Sequence, residues 1–500
     1  MKPSLPDSST SRAVQDFLAR DKKLLIDGKW VDAASGKKYE TKNPSNGELL
    51  AWVAEGGAED IDRAVAAARR AFDGAWGNAK PAQRQRLMLA IADIVEANFD
   101  ELAMLDSMDM GAPITRTQAN RDQVVGTLRY FAGVTTSLHG ETMSNSLPGE
   151  FVSYTTKEPV GVVGAITAWN GPIGATVCKM APVLATGCTM VLKVSEESPL
   201  SALRLGEMLL EAGIPDGVVN IVPGKGETAG ARLAEHSDVD KVAFTGSSFT
   251  GQRIVRASAG NLKRVSLELG GKSPNIVFSD ANLDAAVAGA SAAIFANSGQ
   301  MCTAGSRLFV QRDIYEEFTQ RLAAFSQKLK VGDSLDPRTQ LGPLVSEQQL
   351  ERVVDYLNIG RKEGARALTG GERLTEGALA KGYFVPPTIF SGVKEDMRIV
   401  QEEIFGPVVV AIPFDGVEDV ARMANATPFG LGSGVWTSDI TKAHILSRTI
   451  RAGSVWINCY NAKDPAVPYG GFKMSGYGRE LGLQHVEEYL NVKAVWIKVS

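Results

Sequence analysis

The feature that most constrains this chain is a rhythm. From about Val160 onward, short apolar runs at 162–166, 190–194, 218–222, 242–244 and 265–267 alternate with stretches of helical length. Strands separated by crossover helices return to the same end of a sheet and pair in parallel, so a parallel α/β sheet is expected. A second alternation follows Asp280: an Ala-rich helix to Asn297, a strand at 308–311, a helix over 314–329, and later strands near 408–412 and 454–458. It predicts a second α/β domain. A chain of 500 residues has room for it, since one core rarely grows beyond roughly 250–300 residues.

Ahead of the first alternation, Ile61, Val65, Ala68 and Phe72 mark one helical face, and Leu87, Ile91, Ile94 and Val95 repeat the spacing. One later helix is fully punctuated, with Ser198 as N-cap, Pro199 at the first helical position and Gly213 just past the end. The stretches 142–157 and 492–499 look strand-like but belong to neither alternation. Such leftover strands pair between domains or subunits.

Composition excludes several classes. With 44% hydrophobic and 22% charged residues, neither disorder nor a fibrous repeat is indicated. Fifty-three basic against 57 acidic side chains leave a formal charge of −4, so nothing global favours nucleic acid or an anionic membrane. The four cysteines, Cys178, Cys188, Cys302 and Cys459, show no metal-ligand spacing and accompany only four histidines; this argues for reduced thiols, without a disulfide framework or a metal site. Residues 1–17 lack the apolar core of a targeting peptide, which places the chain in the cytoplasm. Uncharged runs at 159–178 and 285–306 contain Asn170, Pro172, Asn297 and Gln300, which a membrane span would leave unsatisfied.

Two loops carry chemistry. Leu267-Glu268-Leu269-Gly270-Gly271-Lys272-Ser273-Pro274 offers a carboxylate among glycines, and Gly299-Gln300-Met301-Cys302-Thr303-Ala304-Gly305 offers a thiol. A cysteine thiolate attacks carbonyls, and a nearby carboxylate can activate the water that releases the acyl group. Together with Ala168-Trp169-Asn170-Gly171-Pro172, Leu192-Lys193-Val194-Ser195-Glu196, Phe244-Thr245-Gly246-Ser247, Glu402-Glu403-Ile404-Phe405-Gly406-Pro407 and Tyr469-Gly470-Gly471-Phe472-Lys473, these motifs make the sequence resemble the aldehyde dehydrogenase superfamily from about Leu25 to the end.

The resemblance implies NAD as cofactor, a small-molecule aldehyde as substrate, and a Rossmann-like NAD-binding domain at 1–141 and 158–269. It further implies a catalytic domain at 270–475 and a small β arm at 142–157 and 476–500 that builds a homotetramer or homodimer. Cys302 would be the nucleophile, Glu268 the base acting on the thioester, and Asn170, with the Cys302 N–H, the donor to the oxyanion. A free thiol titrates near about 8.5, so the site must lower that value or supply a base, and the sequence leaves both open. Cofactor contacts would come from Ile166, Thr167, Trp169, Lys193, Glu196, Gly226, Gly230, Phe244, Gly246, Ser247, Leu269, Glu403 and Phe405. The usual Gly-x-Gly-x-x-Gly spacing is absent, and Ser247 instead opens a helix whose free N–H groups suit a pyrophosphate.

Substrate-tunnel positions would be Gly171, Ala175, Cys178, Phe295, Ala296, Met301, Thr303, Tyr460 and Lys463. Gly171, Cys178 and Ala296 stand where family members acting on small aldehydes often carry aromatics, which implies a wider passage. The loop 461–468 departs from the family and brings Lys463 and Asp464 to the mouth. Two other readings stay open: a CoA-acylating dehydrogenase, against which Glu268 counts, and a catalytically silent structural relative.

Overall fold

The structure, a computed structural model, describes residues 8–499. The part of the N-terminal reading that falls on residues 1–7 lies outside them. Five parallel strands form the centre of the first sheet, in spatial order Arg264–Glu268, Lys241–Thr245, Val162–Ile166, Thr189–Lys193 and Val219–Ile221. Each falls within two residues of an apolar run in the sequence. Burial explains why: Val162–Ile166 and Thr189–Lys193 are buried at every position, so both faces must be covered and the strand reads as a continuous apolar run. Antiparallel strands close both edges, Leu24–Ile26 with Lys29–Val31 on one side and Gly476–Tyr477 on the other.

The second sheet has seven strands in the order Arg366–Thr369, Thr388–Ser391, Val408–Phe414, Arg307–Gln311, Pro274–Val277, Gly432–Trp436 and Ser454–Ile457. All neighbours but the first pair run parallel. A mixed α/β architecture with two parallel sheets is thus observed. The Ala-rich helix ends at Phe295, two residues before the expected Asn297, because Asn297 and Ser298 take left-handed backbone angles (φ 54° and 55°). The leftover strands pair with each other: Leu490–Lys498 lies antiparallel to Phe151–Pro159, which also takes the short Thr142–Met143. Residues 476–500 do not act as one unit. Gly476–Tyr477 joins the first sheet beside Glu268, helix Gly482–Glu487 packs on helix Pro172–Thr186, and only the terminal strand joins the three-stranded sheet.

One punctuation signal is corrected. The helix starts at Leu200, with Pro199 in the capping position, and the Ser198 hydroxyl donates to the Trp169 carbonyl at 2.9 Å. Its free Leu200 N–H is instead received at 2.8 Å by Asp109, a buried carboxylate whose other oxygen accepts from the Thr41 hydroxyl at 2.6 Å. Gly213 does terminate the helix in a left-handed conformation (φ +80°), with Ile214 N–H returning to Leu209 O. Because Asp109→Ala leaves two buried donors unpaired, it is expected to destabilise the chain by about 2–4 kcal/mol. A lowered urea midpoint measures this, and Asp109→Asn, which keeps an acceptor for one donor, should recover part of it.

Candidate active site

In the first sheet the chain runs outward from Val162–Ile166 to Thr189–Lys193 and Val219–Ile221, then returns to the other side of Val162–Ile166 as Lys241–Thr245. The crossovers diverge between Val162–Ile166 and Lys241–Thr245, and the C-terminal ends of strands at such a switch point leave a crevice for ligands. Two adjoining cavities of about 420 and 440 Å³ open there. All thirteen cofactor positions read from the sequence line one or the other, and Asn170, Glu268 and Cys302 line the first.

The donor set suits a dinucleotide. Ser247 caps helix Ser248–Ser258 by accepting the Thr250 N–H at 3.1 Å, leaving the first-turn N–H groups at the cavity wall for a pyrophosphate. Lys193, at the end of its strand, donates to Glu196 at 2.6 Å. Burial would raise Glu196, but the Lys193 ammonium outweighs it and holds the carboxyl below its ordinary range, ready to accept ribose hydroxyls. At the other end Glu403 accepts from Gly271 N–H at 2.9 Å, and Phe405 stands edge-on to Trp169 with centroids 5.2 Å apart.

Glycines bring the two reactive loops together. A Cβ on Gly271 would lie 2.4 Å from the Cys302 carbonyl oxygen, and one on Gly270 would lie 2.1 Å from a Glu403 oxygen. Asn170 Nδ2 donates to Gln300 O at 2.9 Å, spending one of two amide protons, and Asn297 Nδ2 donates to Asn170 O at 3.1 Å. The Cys302 N–H makes no hydrogen bond among the described residues. Two N–H donors therefore remain beside the thiol, the arrangement an oxyanion requires.

Burial sets the proton inventory. It pushes the Cys302 thiol up, while the Lys463 ammonium and a 3.4 Å contact with the Tyr469 hydroxyl pull the other way. It also raises Glu268 well above the carboxylate range, helped by the charge of Glu480, and Glu268 Oε2 has no partner. Glu480 itself stays ionised because Lys179 donates to it at 2.5 Å, which overcomes the cost of burial. The site thus holds a neutral thiol and a neutral acid whose base form grows as pH rises.

The tunnel positions divide. Gly171, Ala175 and Cys178 share a half-buried face of helix Pro172–Thr186, and a Cβ on Gly171 would meet nothing within 4 Å. Cys178 packs with Cys302 against Leu431, Tyr469 and Leu481. Phe295 is corrected: it is 2% exposed in the core of the second α/β unit, because the left-handed turn after Ala296 carries the chain away from it. Ala296 is half-buried at that turn, and Met301 accepts from Arg116 through its sulfur at 3.5 Å. Tyr460 donates to Thr303 O and Thr303 to Asn461 Oδ1, both at 2.7 Å, so these residues tie the 461–468 loop to the nucleophile's neighbour. Lys463 lies over the Tyr469 ring, 4.1 Å from its centroid.

Sequence reasoning missed Tyr469 as a partner of the thiol. It also missed Gln349 and Arg352, which line the cavity while donating to Phe405 O and Glu403 O at 2.8 and 2.6 Å. The Ser346-Glu347-Gln348-Gln349 pattern is a readable helix start, but nothing in it points to a ligand.

Known proteins agree with this geometry. The model of the aldehyde dehydrogenase family matches residues 30–495. The chain is 47% identical over 493 residues to the putative aldehyde dehydrogenase DhaS of Bacillus subtilis (strain 168), covering 98% of each. It is 47% identical over 481 residues to the mitochondrial aldehyde dehydrogenase of Homo sapiens, covering 95% of this chain and 92% of the relative. Its fold matches the NAD+ complex of the aldehyde dehydrogenase from Bacillus cereus with a TM-score of 0.96, at 46% identity and 100% coverage of both chains. This chain belongs to the aldehyde dehydrogenase family.

Glu196 generates a cofactor prediction. An ionised carboxylate about 5 Å from a 2′-phosphate repels it by roughly 3 kcal/mol at an effective dielectric near 20, and solvent at this partly exposed residue reduces that. NAD should therefore give a kcat/KM about tenfold or more above NADP, and Glu196→Gln should narrow the ratio. Equal efficiencies in the native protein would show that Glu196 does not face the 2′ position.

Proposed function

We propose that this protein oxidises an aldehyde to the free carboxylic acid with NAD through a thioester on Cys302, and that its preferred aldehydes are bulky, aromatic or long-chain. The observation that carries the reading is the gathering of Cys302, Glu268 and Asn170 in one cavity with the dinucleotide positions. Cys302 Sγ gives up its proton and bonds to the aldehyde carbon. The resulting oxyanion receives the spare Asn170 amide proton and the Cys302 N–H. NAD, when bound, supplies the oxidant by accepting the hydride from that carbon, which leaves a thioester. Glu268 then takes a proton from water as its oxygen attacks the thioester, the C–S bond breaks, and the acid departs with the thiol restored. A CoA-acylating reaction would need no such carboxylate, and Glu268 counts against it.

The small-residue face of Gly171, Ala175 and Cys178 supports a wide apolar passage. The three-stranded sheet supports a homo-oligomer, a dimer or tetramer, because Leu147, Val152, Val492, Trp496 and Val499 are all exposed on or beside it. In that reading the first sheet and its helices bind NAD, and the second carries the nucleophile. Four unpaired cysteines fit a reducing cytoplasm. No helix among the described residues is long and apolar enough to cross a membrane.

Glu268→Gln should release one equivalent of NADH per site in a burst before turnover stalls, since the thioester forms but is not hydrolysed. With burial raising Glu268, the base form is the deprotonated one, so native turnover should climb as pH rises from neutral and the variant should lose that climb. Loss of burst and steady state in equal measure would instead assign Glu268 to activating the thiol.

Aldehyde size should rank the substrates. Acetaldehyde leaves the passage unfilled and forgoes about 25 cal/mol per Å² of apolar burial, so its kcat/KM should fall far below that of hexanal or an arylacetaldehyde. Gly171→Phe, for which the backbone leaves room, should reverse part of the ranking. A native preference for acetaldehyde would sink the wide-passage reading.

A further inference from the structure

Two cations flank Cys302 without an ion-pair partner among the described residues. Arg116, on helix Ile114–Ala119, is half-buried, and its guanidinium donates only to the sulfur of Met301, the residue before the nucleophile. Removal from water lowers its affinity for its proton, and no carboxylate offsets the cost. Lys463 stacks on Tyr469, whose hydroxyl touches Cys302 Sγ. The elements carrying the two are neighbours: helix Arg121–Val134 follows Arg116, and a Cβ on its Gly126 would lie 3.9 Å from Pro465 in the Lys463 loop.

The nearby acidic groups are committed elsewhere. Glu480 is held by Lys179, Asp464 accepts the Ala466 N–H, and Glu268 is kept protonated by burial. A desolvated guanidinium held by a thioether, a weak acceptor, lacks the partner it binds best, since Arg grips a carboxylate through two parallel N–H bonds. Between these cations and the thiol runs the small, half-buried face of Gly171, Ala175 and Cys178, which suits an apolar chain.

We propose that Arg116 and Lys463 receive an anionic group at the far end of the aldehyde, so that the preferred substrates are oxo-carboxylates in which an apolar chain separates the aldehyde from a carboxylate. This rests on the aldehyde-oxidation reading above and names the class of aldehyde. The preference should appear mainly in KM, because both groups act on the remote end of the substrate.

The test compares kcat/KM for 6-oxohexanoate and hexanal, which differ only at the end remote from the aldehyde. The native protein with NAD should favour 6-oxohexanoate by about tenfold or more, the scale of one charge-assisted hydrogen bond. Lys463→Met and Arg116→Met should each cut that ratio by about tenfold. Lys463 is exposed, so its variant decides the matter even where Arg116→Met fails to fold. A native ratio at or below one overturns the proposal and leaves aldehyde oxidation standing. A ratio unchanged in Lys463→Met, with both aldehydes slowed alike, also overturns it and assigns Lys463 to tuning the thiol. Failure of the native protein to oxidise either aldehyde would bring down the oxidation reading itself.

Discussion

The site depends on main chains that pass closer than any side chain permits. Gly271 lies against the Cys302 carbonyl, Gly270 against the Glu403 carboxylate, and Gly299 against the Gly406 carbonyl, where an added Cβ would stand 1.9 Å from oxygen. Gly299 also needs its positive φ of 73° to make the turn into Gln300. These three contacts lock the Glu268, Cys302 and Glu403 segments into one block. Ser475 fastens the block from behind, donating to Gly270 O at 2.7 Å while its carbonyl accepts the Leu269 N–H. The placing of carboxylate against thiol is thus decided by backbone, which holds position better than long side chains would.

That rigidity is joined to an economy of charge. Burial disfavours the ionised forms of both Cys302 and Glu268, so the resting cavity carries little net charge where the aldehyde must sit. The permanent charges lie behind it, in the Lys179–Glu480 pair, or beside it on Lys463. An oxyanion forming on the substrate then becomes the newest charge in a low-dielectric space, where the Asn170 and Cys302 N–H donors are worth more than in water.

What could be read from the sequence follows from how local each determinant is. The strand Val162–Ile166 was legible to the residue because burial on both faces writes an unbroken apolar run. The cap of helix Leu200–Glu211 was not, because Asp109 reaches it from another helix and no pattern near Ser198 records that. The motifs placed the cofactor positions correctly on one crevice, since each sits at the end of a strand. Phe295 was misplaced because adjacency to Ala296 in sequence says nothing about direction once Asn297 and Ser298 turn left-handed. Tyr469, Gln349 and Arg352 reach the site only through the tertiary fold.

The terminal strand links the periphery to this chemistry. Leu490–Lys498 pairs with Phe151–Pro159 over nine residues, in register from Leu490 opposite Pro159 to Lys498 opposite Phe151. The chain entering that strand has just passed Glu480, which holds Lys179, and helix Gly482–Glu487, which packs against the helix bearing Lys179 and Cys178. Buried His485 completes the joint by accepting the Leu481 N–H at 3.1 Å, and burial holds its imidazole down to about 3, hence neutral. Strain on the outer sheet is therefore carried through close packing to the residues that set the charge behind Glu268. An interface formed on that sheet would hold the Glu480 segment in place, so association can steady a site whose reacting groups all come from one chain.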